Sequence, residues 1–125
     1  MAADFGRLRL GRRGEAIACA ELERRGYVIL ARRYRTRAGE IDIVAREGGS
    51  IVFVEVKARA SDRCGPPAEA VTPAKRRRLA SMAADYLARH GEPEASCRFD
   101  VVAVDAGGRR PAVTVYRDAF AADEG

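Results

Sequence analysis

The feature that most constrains this chain is a glycine pair, Gly48-Gly49, set between two strand-like runs, Glu40 to Glu47 and Ile51 to Ala58. Two glycines between β-rich segments predict a tight hairpin, because the turns that match strand twist need a positive φ that glycine adopts without strain. With these glycines at the centre, Glu47 faces Ser50 and paired positions sum to 97. A four-residue loop over Glu47 to Ser50 gives the same sum. The register sets Asp42 opposite Glu55 and Glu40 opposite Lys57. Opposed residues on one face hold their Cβ atoms roughly 4.5–5.5 Å apart. Two carboxylates are thus expected side by side within strands otherwise made of Ile, Val and Phe.

Such a pair is unfavourable by itself. Opposed like charges weaken a sheet, and two half-buried carboxylates must share a proton. A divalent cation between them removes both problems, and hard oxygen donors suit Mg²⁺ or Mn²⁺. Lys57, two residues beyond Glu55 on the same strand face, is placed to orient a water or to meet negative charge on a phosphoryl oxygen. This is the combination that phosphodiester hydrolysis needs. The plainer reading is that strand-end carboxylates are solvated and E-x-K is a chance pattern. Opposed Asp and Glu in an apolar hairpin, followed by Lys, form a rarer set and favour a site. Glu40 reads as a salt-bridge partner of Lys57 or as a further ligand, with the salt bridge preferred.

The remaining elements follow from periodicity and caps. Gly11 to Arg25 reads as a helix ended by Gly26, with Ala18, Cys19 and Leu22 on one face and Glu15 on the same stripe. That position makes Glu15 a third site candidate, although helix edges tolerate carboxylates. Tyr27 to Tyr34 reads as a strand, followed by a turn over Thr36 to Gly39. Residues 59–71, with Gly65-Pro66-Pro67, read as a loop long enough to be mobile over a site. Thr72 is an expected N-cap with Pro73 at N1, opening a helix to about His90 whose core stripe is Leu79, Met82, Ala83, Tyr86 and Leu87. Lys75 lies at the start of that helix, where the dipole prefers anions, so a phosphate contact competes with a neutral role there. Arg76, Arg77 and Arg78 read as a solvated basic face. Arg98 to Asp105 and Ala112 to Arg117 are two further strands, with Asp100 at a strand edge or supporting the site. The order α-β-β-β-α-β-β predicts an α/β fold, a mixed sheet flanked by helices. One domain over 1–125 is expected, with its core at about 11–117 and an acidic tail, 118–125, frayed or in a short helix.

Composition limits the function classes. Apolar residues make up 47% and charged residues 33%, an ordinary globular balance. No run approaches 18 apolar residues, so no transmembrane helix is expected, and the first ten residues lack the apolar stretch of a secretory signal. Cys19, Cys64 and Cys97 are odd in number and widely spaced, which suits reduced thiols in a cytoplasm better than disulfides or a zinc site. His90 is the only histidine, against histidine-based triads. Net charge is +5, and the last eight residues hold three acids and no cation, leaving +8 on residues 1–117. Such a body favours a polyanionic partner, DNA or RNA, with a merely solvated basic surface as the alternative. Of 23 cations only Lys57 and Lys75 are lysines.

With these residues identified, the chain resembles the PD-(D/E)xK nuclease superfamily and, within it, the YraN-like family of small bacterial proteins. The matching stretches are Gly14-Glu15-Ala16, Gly39-Glu40-Ile41-Asp42-Ile43, Phe53-Val54-Glu55-Val56-Lys57 and Arg98-Phe99-Asp100-Val101. The middle two are specific. The resemblance implies a restriction-endonuclease-like αβββαβ core, Mg²⁺-dependent cleavage of DNA, and a likeness to archaeal Holliday junction resolvases, which act as homodimers on branched DNA. By position it implies Asp42, Glu55 and Glu15 as metal ligands, Lys57 as the signature lysine, and Lys75 near a basic or amide residue of the following helix. Lys75, Arg76 and Arg59 are the candidate nucleic-acid contacts. The sequence departs from the pattern in Ile41, where proline is frequent, and in Arg33, where asparagine is expected. The leading expectation is a metal-dependent endonuclease acting on DNA, with branched or structure-selective substrates included. Its rivals are a non-catalytic nucleic-acid-binding module on the same fold and an assembly protein whose basic face contacts RNA or an acidic partner.

Overall fold

The structure, a computed structural model, describes residues 2–59, 72–92 and 94–120, with side chains from residue 11 onward. The chain runs α1 (Ala2–Arg24), β1 (Val28–Thr36), β2 (Gly39–Glu47), β3 (Ser50–Arg59), α2 (Pro73–Arg89), β4 (Cys97–Asp105) and β5 (Ala112–Phe120). The strands form one sheet in the order β1-β2-β3-β4-β5. Neighbours are antiparallel except β3 and β4, which are parallel. A parallel pair needs a crossover connection, and the segment carrying α2 supplies it.

The helices cover opposite faces of the sheet. Ala18, Cys19 and Leu22 of α1 pack with Ile43, Ala45, Val52, Val54, Val102 and Val104. Leu79, Met82, Ala83, Tyr86 and Leu87 of α2 pack with Ile41, Val44, Ile51, Phe53, Phe99 and Val101. The central strands β3 and β4 are buried on both faces, which is why they read as near-continuous apolar runs. Thr72 caps α2 as expected, its Oγ1 accepting the Lys75 N–H at 3.2 Å with Pro73 at the first turn, a contact of about 1 kcal/mol. The result is a restriction-endonuclease-like α/β core, αβββαβ, extended by β5. Among the described residues no helix is long and apolar enough to cross a membrane.

The structure corrects two expectations and leaves a third untouched. Helix α1 begins at Ala2, not near Gly11. The chain after Arg117 is neither frayed nor helical at first: β5 continues to Phe120, which is buried and stacks on Phe99 at 5.0 Å between ring centroids. The expected mobile loop falls on residues 60–71, outside the described residues.

Candidate functional site

The hairpin forms in the expected register. From Glu47↔Ser50 to Ile43↔Val54 every pair sums to 97. One step further the β2–β3 ladder stops. Strand β2 stays paired to β1 as far as Gly39↔Thr36, and β3 stays paired to β4 as far as Arg59↔Asp105. A gap therefore opens between β2 and β3, and Asp42 occupies it. Its Oδ2 accepts the Val56 N–H at 2.8 Å, taking the place of a strand partner. Asp42 and Glu55 do come together, but Asp42 reaches across the gap instead of standing beside Glu55 in a regular ladder.

Strand β2 also turns over at this point. Ile41 belongs to the α2-side core and Ile43 to the α1-side core, although residues two apart in a regular strand share a face. On β1 the pairs Arg32↔Ile43 and Tyr34↔Ile41 place Arg33 opposite Asp42. Arg33 has φ +53, a left-handed conformation that costs a residue with a Cβ roughly 1–2 kcal/mol. Ala31 and Tyr34 both pack toward α2, so β1 changes face here as well. The backbone gives a physical reason for asparagine at this position, since Asn enters the left-handed region more readily than Arg.

The charges around the gap are closely interlocked. Burial, then the neighbouring Glu55 carboxylate, push the Asp42 pKa up to about 7, with Glu15 and Glu40 adding to the effect and the Val56 N–H opposing it. Glu55 Oε1 lies 3.2 Å from Lys57 Nζ and 3.7 Å from Lys75 Nζ. Burial works against the charge on Lys57, but a hydrogen bond with Lys75 and the pull of Glu55 and Asp42 outweigh it and raise its pKa. Lys75 is driven the other way, by that same hydrogen bond first and burial second. Lys75 is therefore the lysine whose charge its surroundings disfavour.

Glu15 arrives from the α1 side. Gly14 lies against β3, where an added Cβ would stand 2.6 Å from the Ala58 Cβ. This absence of a side chain lets α1 settle on the strand and brings Glu15 near the gap. The Glu15 side chain is 13% exposed, and its Oε1 accepts from Arg33 Nε at 2.8 Å. Among the described residues no three His, Cys, Asp or Glu side chains converge to hold a metal ion.

Other candidates sort differently from expectation. Glu40 pairs with Arg35 at 3.2 Å, not with Lys57, because Arg35 is its cross-strand partner on β1. Lys75 at the start of α2 has a carboxylate partner in Glu55, which accounts for a cation there without invoking phosphate. Arg76 does not belong to a wholly wet face: its guanidinium stands over the Phe120 ring at 5.4 Å. Arg59 closes the β3–β4 ladder, its carbonyl accepting the Ala106 N–H at 2.8 Å. Asp100 is no strand-edge group but fully buried. It accepts from Tyr27 Oη at 2.8 Å, Arg98 Nε at 2.9 Å and the Asp118 N–H at 2.9 Å. Sequence reasoning missed the roles of Arg33 and Gly14. The only signal for Arg33 was its departure from the expected asparagine; for Gly14 it was a glycine inside a helical pattern.

The fold defines the chain as a restriction-endonuclease-like α/β domain. Within that class it belongs to the uncharacterised protein family UPF0102, the YraN family, whose model matches residues 14–104. A UPF0102 protein of Anaeromyxobacter dehalogenans is 49% identical over 118 residues, covering 94% of this chain and 88% of its own. One from Symbiobacterium thermophilum is 54% identical over 99 residues, 79% of this chain and 84% of its own. One from Roseiflexus castenholzii is 47% identical over 119 residues, 94% and 96% respectively.

Proposed function

We propose that this protein is a divalent-metal-dependent endonuclease acting on DNA, with Asp42, Glu55 and Lys57 at its centre. The observation that supports this most directly is the Asp42 carboxyl held in the gap between β2 and β3 beside Glu55, with its pKa pushed up to about 7. A half-buried carboxyl crowded by like charge, with the Val56 N–H as its donor, is poorly served by the protein alone. The donor set, two carboxylates with no thiol or imidazole, fits Mg²⁺ or Mn²⁺. Asp42 and Glu55 would hold the ion, which supplies Lewis acidity to the scissile phosphate and to an attacking water. Lys57, fixed at Glu55, places a compact cation where charge develops on the phosphoryl oxygen. Lys75, the second lysine at Glu55, turns a further cation toward the same carboxylate. The net charge of +5 draws a polyanion to the surface.

A second reading, nucleic-acid binding without cleavage, has one observation in its favour: the Glu15 carboxylate is engaged by Arg33. A cleavage panel separates the two. Linear, nicked, flapped and four-way DNA are incubated with Mg²⁺ or Mn²⁺, with binding measured separately in Ca²⁺. Wild type is expected to cut at least one substrate, and Glu55→Gln to abolish cutting. Lys57→Arg should bind within a fewfold of wild type yet cut about 10²–10³ times more slowly, as for loss of one transition-state donor. Salt-dependent binding with no cleavage of any substrate would establish the second reading instead.

A further inference from the structure

We infer that Arg33 is a charge lock on Glu15: its guanidinium holds the third carboxylate away from the divalent ion, and so sets how tightly this chain binds that ion. The inference rests on the proposed metal site at Asp42 and Glu55. Three observations carry it. The Arg33–Glu15 ion pair is close, 2.8 Å from Nε to Oε1, with Glu15 mostly buried. Arg33 stands opposite Asp42 in the β1–β2 register, so its cation is anchored on the strand next to the gap. Its backbone is left-handed, at φ +53, in the stretch where β1 changes face, and that fixes where the side chain leaves the strand.

The chemistry follows from charge. A guanidinium stays protonated at any working pH and presents a rigid fork that matches a carboxylate. Glu15 therefore cannot be released by deprotonation of its partner, as it could from a lysine. For Glu15 to meet a cation at Asp42 and Glu55, the pair with Arg33 must open, and the opened guanidinium would remain nearby as a repelling charge. Removing the guanidinium eliminates both penalties. Glu15 is tied by Arg33 to the strand beside the gap, so opening the pair frees the carboxylate on the side of the proposed site.

The test is Mn²⁺ binding to the full chain at fixed pH, read from the free-ion electron paramagnetic resonance signal. Wild type is compared with Arg33→Asn, Arg33→Lys, Asp42→Asn and the double variant Arg33→Asn with Glu15→Gln. Asparagine is at ease in the left-handed region, so Arg33→Asn is expected to fold, and a melting curve verifies that. Its Mn²⁺ affinity is expected to rise about tenfold, the size of one full charge removed from within a few ångströms of a divalent ion in a water-like medium. Arg33→Lys should rise less, because the charge remains while the fork is lost. Adding Glu15→Gln to Arg33→Asn should remove most of the gain. A purely structural ion pair would change the melting temperature and leave affinity unmoved. Equal or weaker binding by Arg33→Asn, while Asp42→Asn still abolishes binding, would overturn the lock and leave the metal site standing. No Mn²⁺ binding by wild type or any variant would overturn the metal site, and the lock with it.

Discussion

Two aspartates flank β3 at neighbouring levels, half-buried Asp42 on β2 and buried Asp100 on β4, and the protein treats them in opposite ways. Asp100 is fully buried and surrounded by donors: the Tyr27 hydroxyl, the Arg98 guanidinium and the Asp118 N–H. Arg98 continues to Glu47 at 2.7 Å, and Glu47 to Arg117 at 2.6 Å. Burial and the Asp100 carboxylate together push the Tyr27 pKa up to about 12, holding the phenol as a donor. Every part of that cluster has a partner. Asp42 has one donor, the Val56 N–H, and three carboxylates whose charge oppose its own. The comparison separates a carboxylate that the fold has satisfied from one that it has left to be satisfied by something else.

The largest effect expected from this contrast is at Asp100. Removing Asp100 leaves the Tyr27 hydroxyl and the Asp118 N–H without their acceptor and takes one of two carboxylates from Arg98, at a cost on the order of 3–5 kcal/mol. Asp100→Ala should lose that much in urea unfolding and should also loosen β5, since the Asp118 N–H loses its acceptor. A loss below about 1 kcal/mol would show that Asp100 and Asp42 are not different in kind.

The next effect has the opposite sign. The Asp42 pKa is raised from 3.8 to about 7 on folding, so the folded chain binds this proton more tightly than the unfolded one. The stabilisation is therefore fully present below about pH 4 and is lost as pH rises through about 7. Three pH units correspond to about 4 kcal/mol as an upper limit. Asn at this position keeps a carbonyl to accept the Val56 N–H and cannot ionise. In the presence of a chelator, Asp42→Asn should thus be more stable than wild type by a few kcal/mol at pH 8, with the advantage fading toward pH 4. Excess Mn²⁺ should stabilise wild type by mass action and not the variant. A variant less stable than wild type at pH 8 without metal would remove the contrast on which the site rests.

Much of this was legible in the sequence because it depends on local pattern. The glycine pair set the hairpin sum of 97, which holds up to Ile43↔Val54, one step short of Asp42 and Glu55. The Thr72-Pro73 start and the Leu79 to Leu87 stripe of α2 depended on capping and helical period. The Glu40 partner was misread because the 97 register was extended past the point where the ladder ends. Nothing in β2 alone signals that Asp42 would enter the gap. Arg33 and Asp100 were opaque for a related reason: their partners lie 18 and 73 residues away in the chain, and no periodicity links them. Phe120 was assigned to an acidic tail on composition, whereas a single aromatic contact with Phe99 holds it in β5.

The smallest expected effect tests whether the two carboxylate clusters can be separated. Gly14 allows α1 to lie against β3, and an added Cβ would meet Ala58 Cβ at 2.6 Å. Alanine favours a helix over glycine by up to about 1 kcal/mol, but overpacking a close contact costs about 1–3 kcal/mol. The neighbour is a short side chain on a strand that stays paired to β4 at this level, Ala58↔Val104, so the strand resists the shift. Gly14→Ala is therefore expected to lose a net 1–2 kcal/mol or so and to move Glu15, the next residue, relative to Arg33. The Asp100 cluster touches none of these residues, so the high titration of Tyr27 in ultraviolet absorbance should not change. Ala58→Gly supplies the matching cavity, and adding it to Gly14→Ala should recover most of the loss beyond the effects of the two single changes. If Gly14→Ala instead lowered the Tyr27 titration, the two carboxylate clusters would form one coupled unit, and the contrast between them would have to be read as a property of the whole sheet.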